Sequence, residues 1–221
     1  MARPSAKQVL SFTRKYINNQ YFGIPALNIP PVDSLFTTQF VAQLTAGLPV
    51  ELVALTLEDV PQMAQLESLA HSHPMSEGNL ADCFGHLYRV LGLKLSAHLE
   101  VDANTEANID AASDSDTYSV EGLLGFAIVQ QIIDEVTLLD ICLLPSQQGK
   151  GYGKLLLKAV MASAKVSGAV VLMLEVRESN FAARALYQQA GFIESGRRKG
   201  YYPIEGGKED AILMDLAITQ E

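Results

Sequence analysis

The run Gln147-Gln148-Gly149-Lys150-Gly151-Tyr152-Gly153 joins two apolar segments of different period, and that junction constrains the fold more than any other part of the chain. Upstream, Glu135 to Leu144 reads as a strand stopped by Pro145 and Ser146. Downstream, Gly151 to Ala164 places Leu155, Leu156, Ala159, Val160 and Ala164 at helical spacing. A strand, a glycine turn and a helix in that order leave the first N–H groups of the helix without internal partners, and glycines let an anion approach them. A simple packing turn is the plainer reading of the same residues.

Spacing disposes of two phosphate-loop patterns. A nucleoside-triphosphate loop needs a glycine five residues before Gly153 and a hydroxyl after Lys154, but Gln148 and Leu155 stand there. A dinucleotide fingerprint needs G-x-G-x-x-G, whereas Gly149, Gly151 and Gly153 make G-x-G-x-G, far from the first strand. What remains is Q-x-x-G-x-G, from Gln148, Gly151 and Gly153.

The bulk of the chain bounds the class. Its 221 residues can bury a substantial core, and 48% hydrophobic content argues against wholesale disorder. A net charge of −9 speaks against general nucleic-acid binding and favours attraction of cationic substrates. Cys83 and Cys142 supply no disulfide framework and read as reduced, small hydrophobes. No apolar run is long enough for a membrane span and no secretory pattern is evident, so the expected location is cytoplasmic, with no membrane and no direct nucleic-acid partner.

Organisation follows from charge and period. Residues 1–47 carry Arg3, Lys7, Arg14 and Lys15 against Asp33 alone, a net of +3 that leaves −12 on the rest. They read as an N-terminal accessory extension, with Lys7 to Phe22 helical and a prolyl stretch from Gly23 to Val32. The extension could pack on the remainder, mediate a homodimer, or help select a substrate. Residues 48–221 read as the principal domain. Within it, 100–121 holds seven acidic residues and no basic one, an expected solvated loop. Strands are expected at 49–56, 87–95, 123–132, 135–144, 169–175 and 211–216, with one more after Gly191-Phe192, and helices at 57–70, 151–164 and 180–190. Strands separated by helices indicate an α/β fold.

The Q-x-x-G-x-G turn resembles the acyl-coenzyme A loop of the GNAT N-acetyltransferase superfamily. The segments Leu174-Glu175-Val176-Arg177-Glu178-Ser179-Asn180, Ala185-Leu186-Tyr187, Gly191-Phe192, Tyr201-Tyr202-Pro203 and Glu209 to Met214 narrow the resemblance to bacterial ribosomal-protein-alanine N-acetyltransferases. It is strong from about 121 to 217, weaker from 48 to 120, and absent from 1 to 47. The resemblance implies a GNAT-like three-layer α/β fold, with a splayed mixed central β-sheet flanked by helices and acetyl-CoA in the splay.

It also implies roles. Glu175 corresponds to the family's base and Tyr187 to its acid; the plainer readings are a salt-bridged strand terminus and a buried aromatic. Ile141, Cys142 and Leu143 correspond to the segment that aligns the acyl arm, and Gln148, Gly149, Lys150, Gly151, Tyr152, Gly153 and Lys154 to the pyrophosphate cradle. Asn180 matches a coenzyme-contacting position, with helix capping as the competing role. Cys142 reads as a packed thiol rather than an acetyl carrier. No metal is implied, since His71 and His73 lack the H-E-x-x-H spacing. The implied acceptor is a peptide or protein N-terminus, that of a ribosomal protein, contacted by Met75, Tyr201 and Tyr202. Pro74-Met75-Ser76 replaces a tryptophan-containing motif, and Lys199-Gly200 and Lys208 also depart from the pattern, so a small-molecule amine stays open as acceptor, as does a non-catalytic acyl-CoA-binding or assembly role.

Overall fold

The structure, a computed structural model, describes residues 44–96 and 122–219. The expectations for residues 1–43 and for the acidic loop at 100–121 therefore lie outside the described residues. Seven strands form one sheet: β1 (Val50–Ala54), β2 (Tyr88–Leu95), β3 (Leu123–Ile132), β4 (Glu135–Leu143), β5 (Val171–Arg177), β6 (Ile193–Ile204) and β7 (Gly207–Ala217). The helices are α1 (Val60–Ala70), α2 (Glu77–Ala81), α3 (Tyr152–Val166) and α4 (Phe181–Gln189).

Sheet order is β1-β2-β3-β4-β5-β7-β6, and every neighbouring pair is antiparallel except β4 and β5. That parallel pair requires a crossover, which α3 supplies. The sheet is covered on both faces. On one, Val60, Met63 and Leu66 of α1 and Leu80 of α2 pack with Leu123, Phe126 and Ile128 of β3. On the other, Leu156, Ala159, Val160 and Ala164 of α3 meet Leu124, Ala127 and Val129 of β3 and Leu172 and Leu174 of β5. Burial on both faces explains why β3 is apolar almost throughout instead of alternating.

Local chemistry sets the ends. Asp59 accepts from the Thr56 N–H at 2.8 Å in a capping box ahead of α1, whose first turn contains Pro61. The α2 helix, capped by Ser76, was not legible, because five residues are too few for a helical period. The strand expected from Ala169 begins at Val171, since the Ala169 N–H still donates to Ala164 of α3. The segment Arg197 to Pro203 belongs to β6. Its β7 pairing skips between Arg198 and Tyr202, where Gly200 takes φ +57°.

Two irregularities make the opening. The pairing of β3 with β4 steps from Ile128↔Asp140 to Val129↔Leu138, leaving Leu139 as an extra residue. Such a bulge bends its strand. The parallel pairing of β4 with β5 stops at Leu138↔Leu174, although β4 continues to Leu143 and β5 to Arg177. Beyond that point β4 stays attached to β3 and β5 to β7, so the two halves of the sheet part between them. The α/β layers and splayed sheet expected from the resemblance are present.

Candidate active site

Glu175 is the first residue of β5 past the last pair with β4. Leu172, Leu174 and Val176 face α3, so strand alternation turns Glu175 to the opposite face, the side of α1. Its Oε1 is 2.8 Å from Arg198 Nη2, and its Oε2 is buried without a hydrogen-bond partner among the described residues. Burial raises the Glu175 carboxyl above its ordinary pKa, while Arg198 partly offsets the effect. The salt-bridged reading therefore holds, and a basic oxygen is still left over.

Tyr187 lies on the buried face of α4 at 5% exposure, its ring 5.7 Å from that of Phe192. Burial, then the charge of Asp140 and the neighbouring Tyr202, raises its phenol well above the ordinary value. Tyr202 is pushed up to about 12 by burial and then by Glu175. Glu175, Tyr202, Tyr187 and Asp140 thus share one electrostatic neighbourhood beside the splay. A phenol held protonated can donate, and a carboxylate made more basic can accept.

The turn before α3 shows why its glycines are needed. Gly149 and Gly151 take φ +74° and +87°, a region that other residues avoid. Space beside both is open, so an added Cβ would meet nothing within 4 Å. Gly151 caps α3 with no side-chain hydrogen bond, which keeps the leading N–H groups available to an anion. Gly153 lies against Leu143 of β4 and Leu186 of α4, tying the turn to the splay and to the residue before Tyr187. Gln148 Nε2 donates to the Leu143 carbonyl at 3.3 Å, and Lys150 Nζ donates to Gln147 at 3.2 Å. Tyr152 is half-buried and Lys154 exposed. These residues fit a pyrophosphate.

Ile141 and Leu143 direct their side chains to the α3 face, whereas Cys142 turns to the α1 face. Only its backbone lies in line with theirs. Burial and the charges of Asp140 and Glu67 push the Cys142 thiol far up, which suits a packed thiol and not a nucleophile. Asn180 is the α4 cap, its Oδ1 accepting from the Ala183 N–H at 3.1 Å. Met75 packs against the α1–α2 cluster, and its N–H donates to Glu67 Oε2 at 2.8 Å. Tyr201 and Tyr202 stack edge to face at 4.9 Å, with Arg177 4.3 Å over Tyr202. Arg177 also pairs with Glu209 at 2.7 Å, and Arg197 with Glu178 at 2.5 Å, pinning the β6–β7 hairpin to the end of β5.

Arg198 and Asp140 were missed as contributors. Each adjoins residues singled out in the sequence, Lys199 and Ile141, but only the sheet register brings them to Glu175 and Tyr187. Glu67 left a fainter trace, a charge on the same helical face as Met63.

The sequence profile of the acetyltransferase (GNAT) family matches residues 86–192. The ribosomal protein bS18-alanine N-acetyltransferase of Salmonella typhimurium is 37% identical over 165 residues, spanning 75% of this chain and 95% of that protein. This chain belongs to the GNAT acetyltransferase family. The Haemophilus influenzae enzyme of the same description is 39% identical over 157 residues, or 71% and 90% of the two chains. Among solved structures, the ribosomal-protein-S18-alanine N-acetyltransferase from Escherichia coli superposes with a TM-score of 0.63 at 32% identity, over 78% of this chain and 96% of that one. The chain is therefore a coenzyme A-dependent N-acetyltransferase.

Proposed function

We propose that this enzyme acetylates the α-amine of a protein N-terminus, that of a ribosomal protein, with acetyl-CoA as donor. The observation that carries the reading is the end of β4–β5 pairing at Leu138↔Leu174, immediately before Glu175. The names of the relatives supply the acceptor class.

Bound acetyl-CoA supplies an acetyl carbon activated as a thioester. The open turn from Gly149 to Lys154 holds its pyrophosphate through the N–H groups leading α3. The edge of β4 from Ile141 to Leu143 has no β5 partner, so its backbone is free to align the acyl arm. Glu175 Oε2 takes the proton from the incoming amine as the C–N bond forms, while Arg198 holds the other oxygen. Tyr187 gives its proton to the thiolate as the C–S bond breaks. Tyr201, Tyr202 and Met75 border the acceptor.

The test is acetyl transfer to a panel of peptide N-termini, lysine side chains and small amines, read by mass spectrometry. Labelling of peptide α-amines, strongest for the bS18 N-terminus, is the expected result. Exclusive labelling of a small amine would overturn the acceptor assignment.

A further inference from the structure

Behind the β4 arm of the splay, four side chains of metal-ligating types converge from two elements. Glu67 and the His71 that ends α1 are i,i+4 neighbours on one helical face. Asp140 and Cys142 are i,i+2 neighbours on one face of β4, just past the bulge. Glu67, His71 and Cys142 each bring a ligand atom, and the three atoms lie within 4.8 Å of one another. His71 Nε2 is 3.4 Å from Glu67 Oε1 and 3.9 Å from Asp140 Oδ1.

A cation among these groups would relieve the cost of burying them. Glu67 is 2% exposed and Cys142 1%, the latter within the apolar α1–α2 cluster. Glu67 Oε1, His71 Nε2 and Asp140 Oδ2 are buried with no hydrogen-bond partner among the described residues. Each such atom costs free energy, and two facing carboxylates cost more. One Glu67 oxygen is already fixed by the Met75 N–H at 2.8 Å, leaving Oε1 for the shared space. Outer hydrogen bonds of this kind orient metal ligands.

We propose that Glu67, His71, Asp140 and Cys142 bind a divalent transition-metal ion, zinc by the character of the donors. One thiolate, one imidazole and two carboxylates make a four-coordinate set that zinc accepts. Calcium and magnesium take all-oxygen sets, which Cys142 and His71 do not provide. The pairing considered on the sequence, His71 with His73, is not the one the fold makes; His73 is engaged by Ser72 at 3.0 Å. On binding, the Cys142 thiol releases its proton to solvent. The ion would pin the end of α1 to β4.

Cobalt titration of the full-length, reduced, chelator-stripped protein tests the site by spectroscopy, independently of any acceptor. One equivalent of cobalt chloride should give a thiolate-to-cobalt charge-transfer band with intense visible d–d bands, and zinc chloride should displace both. Cys142→Ala should abolish the charge-transfer band and Cys83→Ala should keep it. His71→Gln, at a half-exposed position, should weaken zinc binding about tenfold or more. Absence of the band, or its survival in Cys142→Ala, overturns the proposal. Should Cys142→Ala fail to fold, unchanged zinc affinity in His71→Gln overturns it instead.

Discussion

Replacing Tyr187 by phenylalanine separates the proton it gives from the packing it provides. The ring would stay buried, with Phe192 still 5.7 Å away at an interplanar angle of 55°. Only one oxygen is removed, so stability should change by no more than about 1 kcal/mol. Loss of a positioned acid should lower the chemical step by about 10²- to 10⁴-fold. That range corresponds to about 3–5 kcal/mol of barrier. The pH dependence adds a second check. Burial and the Asp140 charge hold the phenol above its ordinary value, so it keeps its proton while the acceptor amine loses one. The wild-type rate should therefore rise as an α-amine of pKa about 8 deprotonates, then hold level past pH of about 10, where an ordinary phenol would titrate. The assay is single-turnover transfer, which keeps product release from masking chemistry, with thermal melting in parallel. A folded Tyr187→Phe with a wild-type single-turnover rate would refute the donor role.

The other perturbations follow from the same contacts. Glu175→Gln should leave coenzyme binding intact by calorimetry and lower kcat/KM by about 10²- to 10⁴-fold; intact turnover would exclude it as base. In the wild type, activity should fall as pH drops through the raised Glu175 value, above the ordinary glutamate near 4.3. Arg198→Gln removes the cation that lowers Glu175, so this acid limb should move to higher pH; a limb that moves down in the pH–rate profile contradicts the pairing. Gly125→Ala would place a Cβ 2.4 Å from Leu143 Cδ2 and 2.6 Å from the Cys142 carbonyl, and backbone cannot yield as a side chain can. A loss of about 1–3 kcal/mol in denaturant melts is expected. Gly151→Ala meets no atom but must hold φ +87°, so it should cost about 1–3 kcal/mol in the same melts and raise the KM for the donor.

What could be read from the chain, and what could not, divides by the range of the interaction involved. Long periodic segments such as β3 and α3 were legible because burial imposes a pattern over many residues. The cradle was legible because it is local: glycine spacing, strand before, helix after. Arg198 was not, since its partner Glu175 sits on a strand two removed from its own in the sheet, and the skip in β6–β7 register decides which residue faces it. The same holds for Glu67 and Asp140, which are brought together by packing α1 against β4, a contact that leaves no sequence period.

The Leu139 bulge shows how much hangs on one such detail. Before it, Val136 and Leu138 face α3; after it, Ile141 and Leu143 do, so the phase of the strand has slipped by one residue. Without the slip, Asp140 would take the α3 side and Ile141 the α1 side, and strand pairing with β5 could continue past Leu138. One extra residue thus accounts for the free β4 edge, for the side chains that flank it, and for the meeting of Asp140 and Cys142 with α1. Its mark in the sequence is the adjacent pair Leu138-Leu139, two apolar residues where strict alternation would place one. Read alone, that pair is indistinguishable from a strand buried on both faces. Read beside a partner strand whose pairing ends at Leu138, it becomes the hinge on which a plain sheet turns into a binding site.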